Sequence, residues 1–123
     1  MYVVEPTEDL PKVCLDPTQG NLLIEGTSIP EDSEDFYAPI LDWLAEFVAS
    51  EPEKVEFQIR LEYFNTSSSK YILDMLRIIE PLSANSKLSV IWYYHPEDED
   101  MLEAGEDYKS LVKIPFNLVP TTV

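Results

Sequence analysis

The stretch from Lys54 to Tyr63 constrains the fold of this chain more than any other. Apolar and aromatic side chains occupy every second position, namely Val55, Phe57, Ile59, Leu61 and Tyr63. Polar side chains fill the positions between them, namely Glu56, Gln58, Arg60 and Glu62. This strict alternation predicts a β-strand with one face packed on a core and the other facing water or a partner.

Helical periodicity precedes this strand. Apolar residues recur at helical spacing from Phe36 to Val48, and Ser33 or Asp35 is the expected N-cap. Pro39 is expected near the first turn, because proline kinks a helix interior. A second apolar stripe follows the strand from Ile72 to Ile79, and Pro81 is expected to end that helix. The strand is therefore predicted to lie between two helices.

The remaining patterns complete the order β-β-α-β-α-β-α-β. Three shorter strands are predicted at 13–15, 22–26 and 88–94, a helix at 101–108 with Asp98 or Asp100 as its cap, and an edge strand at 116–119. The order predicts one α/β domain over residues 1–123, at the border with α+β. It implies a mixed sheet of four to five strands, about three helices and right-handed crossovers. Residues 1–10 are expected to form a loose acidic lead-in.

The charge of the chain excludes several classes of partner. Twenty-four acids against eight bases give a net charge of −16. Nucleic acids are not expected as partners, because their binding rests on neutralising phosphates with Lys and Arg. Anionic membrane surfaces are disfavoured for the same reason, and a basic or mixed protein partner is favoured. No long apolar run and no secretory signal is visible, so we expect a cytoplasmic protein.

Residues suited to catalysis or metal binding are sparse. The single cysteine, Cys14, lies in an apolar run and is expected to be a buried structural thiol. The single histidine, His95, lies beside a proline and an acidic loop. No nucleotide-binding glycine motif occurs, and the acids of that loop do not follow the order of a calcium-binding loop. We therefore expect no enzyme activity, no cofactor and no metal.

Four consecutive hydroxyl side chains, Thr66 to Ser69, separate the central strand from the second helix. In one interpretation they cap the helix, with Asn65, Thr66 or Ser67 accepting from its free N–H groups. In the other, one of them is a reversible phosphorylation site, since a phosphate there would meet free N–H groups, the positive end of the helix dipole and Lys70 one turn on. The residues alone leave both interpretations open.

The segment that contains this turn, LEYFNTSSSK at 61–70, resembles the signature of the SiaC family of bacterial regulatory phosphoproteins. Further similar segments follow the family order: YAPILDWL at 37–44, WYY at 92–94, DEDMLEAGE at 98–106 and PF at 115–116. Together they span most of residues 20–119. The NTSSSK core and the DEDMLEAGE segment are the most specific of them.

The resemblance implies a phosphorylation-gated, STAS-like partner-switching module rather than an enzyme. It implies that Thr66 is the phosphoacceptor of a cognate Ser/Thr protein kinase and that a PP2C-type phosphatase resets it. The unphosphorylated form would bind and activate a diguanylate cyclase, a GGDEF protein, and so promote cyclic-di-GMP synthesis and biofilm formation. The turn and partner-binding residues would be Tyr63, Phe64, Asn65, Ser67, Ser68, Ser69 and Lys70.

Two alternatives share parts of this pattern. A STAS-type antagonist of an anti-sigma factor would use the same switch with a different partner. A small enzyme or cation-binding domain would use His95 and the acidic loop, in particular Asp98 and Asp100.

Overall fold

In the part of the chain that the structure describes, six strands and three helices form two layers. The structure is a computed structural model that describes residues 1–84 and 87–121. The strands are β1 (Tyr2–Val4), β2 (Lys12–Asp16), β3 (Asn21–Ser28), β4 (Lys54–Phe64), β5 (Lys87–Tyr94) and β6 (Phe116–Pro120). The helices are α1 (Ser33–Ala49), α2 (Thr66–Ile79) and α3 (Glu99–Leu111), and a 3-10 turn follows α2 at Glu80–Ala84.

The strands lie in chain order across one mixed sheet. β1, β2 and β3 pair antiparallel, whereas β3 to β6 pair parallel. Each pair of neighbouring parallel strands is connected through one helix, and the successive connections run in the same direction across the sheet. Right-handed crossovers therefore place all three helices on one face of the sheet. The opposite face is open, and Gln58 and Ile91 on it are half-buried while Arg60 is exposed.

The α/β class and the three helices were predicted correctly, but among the described residues the sheet has six strands rather than four to five. The extra strand is β1, so the expectation of a loose lead-in was wrong for residues 2–4. Tyr2 and Val4 pack against the core, and their strand pairs with Val13 to Leu15 of β2. Within the described residues, no helix is long and apolar enough to cross a membrane.

The cap of α1 is Asp32, not Ser33 or Asp35. The Asp32 side chain accepts from the backbone N–H of Asp35 at 3.0 Å, and Ser33 is the first helical residue. Pro39 consequently lies inside the helix, beyond its first turn.

The ends of the other helices agree with the sequence. Asp98 caps α3 by accepting from the backbone N–H of Met101 at 3.0 Å. α2 ends before Pro81, as predicted. Cys14 was expected to be buried but is half-buried, because Val13 and Leu15 take the inward positions of β2 and leave Cys14 on the open face.

A bulge in β4 changes which side chains face the core. Gly26 of β3 pairs with Leu61, but the next residue, Thr27, pairs with Tyr63, so Glu62 is the extra residue. An extra residue turns the side chains that follow it to the opposite face. The prediction that Tyr63 shares the packed face of β4 was therefore wrong, and its side chain is 58% exposed.

Phe64 takes the inward position that Tyr63 was expected to occupy. Its ring meets Trp92 edge-on at 6.3 Å between centroids and lies 6.5 Å from the ring of Tyr108. Trp92 is fully buried, and its Nε1 donates to the Met101 carbonyl oxygen at 3.0 Å, which ties α3 to the sheet. A Cβ on Gly105 would come within 2.5 Å of the Trp92 ring, so the helix approaches that closely only because this residue is glycine.

Candidate functional site

The turn between β4 and α2 is organised by Asn65. Its Oδ1 accepts three hydrogen bonds, from the backbone N–H of Ser68 at 2.9 Å, from Ser68 Oγ at 2.6 Å and from Ser67 Oγ at 3.1 Å. Its own N–H donates to the Ser28 carbonyl oxygen at the end of β3. Asn65 is thus the N-cap, and Thr66 is the first residue of the helix.

Three of the four hydroxyls in the turn are engaged. Ser68 is fully buried, and its Oγ lies 2.9 Å from Ser28 Oγ. Ser69 is half-buried and donates to the Thr66 carbonyl oxygen at 2.6 Å. Ser67 is exposed, but its Oγ lies 2.6 Å from Ser33 Oγ in the first turn of α1. Their positions differ because α2 begins against β3 on one side and α1 on the other.

Thr66 differs from its three neighbours. Its side chain is exposed, and no residue in the described ranges forms a hydrogen bond with its Oγ1. The backbone N–H groups of Thr66 and Ser67 likewise have no partner there, whereas those of Ser68 and Ser69 bond to Asn65. The arrangement presents a secondary alcohol at a helix N-terminus, where the dipole and free N–H groups favour negative charge.

The surroundings of Thr66 combine an exposed aromatic ring with charges of both signs. The bulge turns Tyr63 outward, three residues before Thr66. Lys70 is exposed one helical turn away, and its Nζ lies 5.0 Å from the centroid of the Tyr71 ring. The acidic first turn of α1, which contains Glu34, approaches through the hydrogen bond between the α1 and α2 serines described above. A phosphate on Thr66 would add negative charge to a turn that already contacts this acidic segment.

Tyr108 ties α3 to the same turn. Its hydroxyl donates to the Ser69 carbonyl oxygen at 2.8 Å. Burial, and then the nearby Tyr37 and Asp107, raise the pKa of Tyr108 to about 12. The folded state therefore holds this proton more tightly than the unfolded chain does.

We expect this tyrosine to make stability fall at alkaline pH. Its contribution is fully present below pH 10.0, the usual pKa, and is lost as pH rises towards about 12, because only the unfolded chain has released the proton in that window. Urea titrations from pH 9 to about 12 should show the loss as about 1 to 2 kcal/mol, absent from Tyr108→Phe. Parallel curves for the two proteins would contradict it.

Comparison with known proteins assigns this chain to a family. A sequence model described as "SiaC family regulatory phosphoprotein" matches residues 4–121. The chain belongs to the SiaC family. The prediction of a regulator rather than an enzyme is confirmed by that membership.

Proteins similar to this SiaC-family chain include several from Pseudomonas aeruginosa. An uncharacterised protein of strain UCBPP-PA14 is 31% identical over 111 residues, which cover 89% of this chain and 88% of the relative. SiaC in the crystal structure of diguanylate cyclase SiaD with its activator SiaC is 28% identical, with a TM-score of 0.92, over 98% of this chain and 100% of that one. The crystal structure of apo-SiaC gives 28% identity and a TM-score of 0.86, over 97% and 99%.

The acidic loop of this SiaC-family chain has a structural role. His95 is exposed, and its Nδ1 accepts from the backbone N–H of Glu97 at 3.1 Å. Asp98 caps α3, so its carboxylate already has a partner. In the part of the chain that the structure describes, no group of three or more His, Cys, Asp or Glu residues could hold a metal ion. The cation-binding alternative gains no support from this geometry.

Sequence reasoning missed two residues of the site, Ser28 and Tyr37. Both are fully buried, and their hydroxyl oxygens lie 2.6 Å apart beneath the turn. The signal in the sequence is weak: Ser28 ends a strand whose other inward side chains, Leu22 and Ile24, are apolar. A hydroxyl at such a position needs a buried partner.

Proposed function

We propose that this chain activates a diguanylate cyclase without being an enzyme itself, and that phosphorylation of Thr66 switches the activation off. The unphosphorylated form binds a GGDEF protein, and the phosphorylated form releases it. The related SiaC was crystallised with the diguanylate cyclase that it activates, and the two folds agree over nearly the full length of both chains. This relationship supports the choice of partner.

The proposal rests mainly on the surroundings of the Thr66 side chain. Thr66 is exposed with no hydrogen-bond partner for its hydroxyl among the described residues, while the three serines after it are engaged. A kinase needs an accessible hydroxyl, and a phosphatase needs access to the phosphate. The first turn of α2 offers both, and its free N–H groups stabilise the phosphate once it is attached.

Release of the partner follows from charge and hydration. A phosphate adds a charge of about −1.5 to −2 at neutral pH and three strongly hydrated oxygens. The exposed ring of Tyr63, three residues before Thr66 in the chain, is typical of the aromatic anchors found at protein interfaces. Burying a phosphate at such an interface would remove its hydration water without supplying enough hydrogen-bond donors in return. The complex would therefore be destabilised.

A cognate Ser/Thr protein kinase and a PP2C-type phosphatase complete the proposed cycle. The kinase and the cyclase both consume nucleoside triphosphates, so we place the switch in the cytoplasm. Increased cyclic-di-GMP synthesis would then promote biofilm formation.

A pull-down with unphosphorylatable Thr66→Ala as bait identifies the partner protein. Capture of a GGDEF protein supports this proposal, whereas capture of a sigma-factor kinase would support the anti-sigma-antagonist alternative.

Site-resolved mass spectrometry tests the switch itself. After incubation with the cognate kinase and ATP, we expect one added phosphate on the wild type, located at Thr66. Thr66→Ala should remain unmodified, because the three serine hydroxyls of the turn are engaged. Ser67→Ala is the matched control, since it removes the neighbouring exposed hydroxyl and should be phosphorylated like the wild type. Phosphate on Thr66→Ala at the wild-type level would overturn the assignment.

A further inference from the structure

A continuous chain of buried hydroxyls links α1 to the phosphoacceptor turn. Tyr37 Oη lies 2.6 Å from Ser28 Oγ, Ser28 Oγ lies 2.9 Å from Ser68 Oγ, and Ser68 Oγ lies 2.6 Å from Asn65 Oδ1. The Tyr37, Ser28 and Ser68 side chains are all fully buried. We call these four residues the hydroxyl relay. It connects three separate elements, α1, β3 and the start of α2.

The direction of the relay is fixed by its last member. An amide oxygen can only accept, so the Ser68 hydroxyl donates to Asn65 Oδ1. The Ser68 oxygen is then free to accept from Ser28, and the Ser28 oxygen accepts from Tyr37. Burial raises the pKa of Tyr37, so the phenol keeps its proton and remains the first donor. Hydrogen bonds aligned in this way strengthen one another in a low-dielectric interior.

The relay determines which hydroxyls of the turn are available. By holding Asn65 Oδ1 in place, it also holds the acceptor of the Ser67 hydroxyl, which lies 3.1 Å away. It occupies the Ser68 hydroxyl directly. Thr66, the first residue after the cap, is outside the relay and stays exposed.

We propose that Ser28 and Tyr37 are positioning residues that select Thr66 as the phosphoacceptor, because the hydroxyl relay fixes the Asn65 side chain and keeps Ser67 and Ser68 engaged. This inference rests on the proposed phosphorylation of Thr66 and extends it to the choice among four adjacent hydroxyls. Neither positioning residue touches the kinase or the phosphate. They act from beneath the turn, through Ser68 and Asn65.

The test compares two relay variants with a matched control. Tyr37→Phe removes only the first donor and keeps the ring, which stacks on Tyr71 at 5.3 Å between centroids. Ser28→Ala removes the middle of the relay. Tyr71→Phe is the control, because it removes a hydroxyl from the adjoining ring and leaves the relay intact. Each protein is incubated with the cognate kinase, and the phosphate on Thr66 and Ser67 is quantified by peptide mass spectrometry.

We expect the ratio of phosphate on Thr66 to phosphate on Ser67 to fall at least about tenfold in both relay variants and to stay unchanged in Tyr71→Phe. A purely structural role would lower the melting temperature without changing which hydroxyl is modified. Folded relay variants that are phosphorylated on Thr66 alone, at the wild-type rate, would overturn the inference. If Ser28→Ala does not fold, Tyr37→Phe decides. A wild type without phosphate on Thr66 would instead refute the proposed function.

Discussion

Thr66→Glu should bind the cyclase at least about tenfold more weakly than the wild type, a loss of about 1.4 kcal/mol or more. A carboxylate at this position places negative charge on the turn proposed to contact the cyclase, which also meets the acidic first turn of α1. The whole chain carries a net charge of −16, so any partner that binds it already tolerates negative charge on more distant parts of its surface. The effect must therefore arise from local desolvation and repulsion at the contact.

The same substitution should leave the fold intact. An acidic side chain in the first turn of a helix is favoured by the dipole, by about 0.3 to 1 kcal/mol, so Thr66→Glu should unfold no earlier than the wild type. Isothermal titration calorimetry on Thr66→Glu and Thr66→Gln separates charge from bulk, because the two side chains have nearly the same size. Equal affinity for the wild type and Thr66→Glu would exclude the charge mechanism.

Trp92→Ala should cost about 3 to 5 kcal/mol of the free energy of unfolding, which is a large share of the about 5 to 15 kcal/mol typical of a domain. Trp92 is fully buried, and the Phe64 and Tyr108 rings both lie against it. Its Nε1 also holds the first turn of α3 through the Met101 carbonyl. The change removes one of the contacts that join α3 to Phe64, at the end of the strand before α2, and leaves the contact between Tyr108 and Phe64.

Urea denaturation measures this loss, and two further variants define its cause. Trp92→Phe keeps most of the ring and should lose less, since it gives up the hydrogen bond to Met101 and part of the volume. Ile91→Ala alters the neighbouring, half-buried side chain on the open face of the sheet and should cost clearly less than Trp92→Ala. A loss below about 1 kcal/mol for Trp92→Ala would show that the aromatic cluster does not stabilise the domain.

The sequence predicted the inward face of β4 correctly from Val55 to Leu61, because a period of two survives as long as the strand is regular. It failed at Tyr63, because a bulge is decided by pairing with β3 and leaves no trace in the alternation. β1 was missed for a related reason. Its three residues, Tyr2 to Val4, are too few to show a periodicity, and the strand is stabilised by pairing with β2.

The candidate site, too, could be predicted from the sequence only in part. A helix beginning after Asn65 could be read from the local sequence, since asparagine followed by hydroxyl residues is typical of an N-terminus. The difference between Ser68, fully buried, and Thr66, exposed, could not be read in this way. It depends on Ser28, which lies 40 residues before Ser68, and on Tyr37 in a different helix. Only the family resemblance distinguished Thr66 from its neighbours before the structure did.

Cyclase binding by the phosphorylated chain itself is the most direct test of the switch. The wild type, phosphorylated at Thr66 by its kinase and verified by mass spectrometry, is titrated against the cyclase and compared with the unmodified chain. We expect at least about a tenfold rise in Kd and loss of cyclase activation, both reversed by a PP2C-type phosphatase. Equal affinity and equal activation by the two forms would contradict the account.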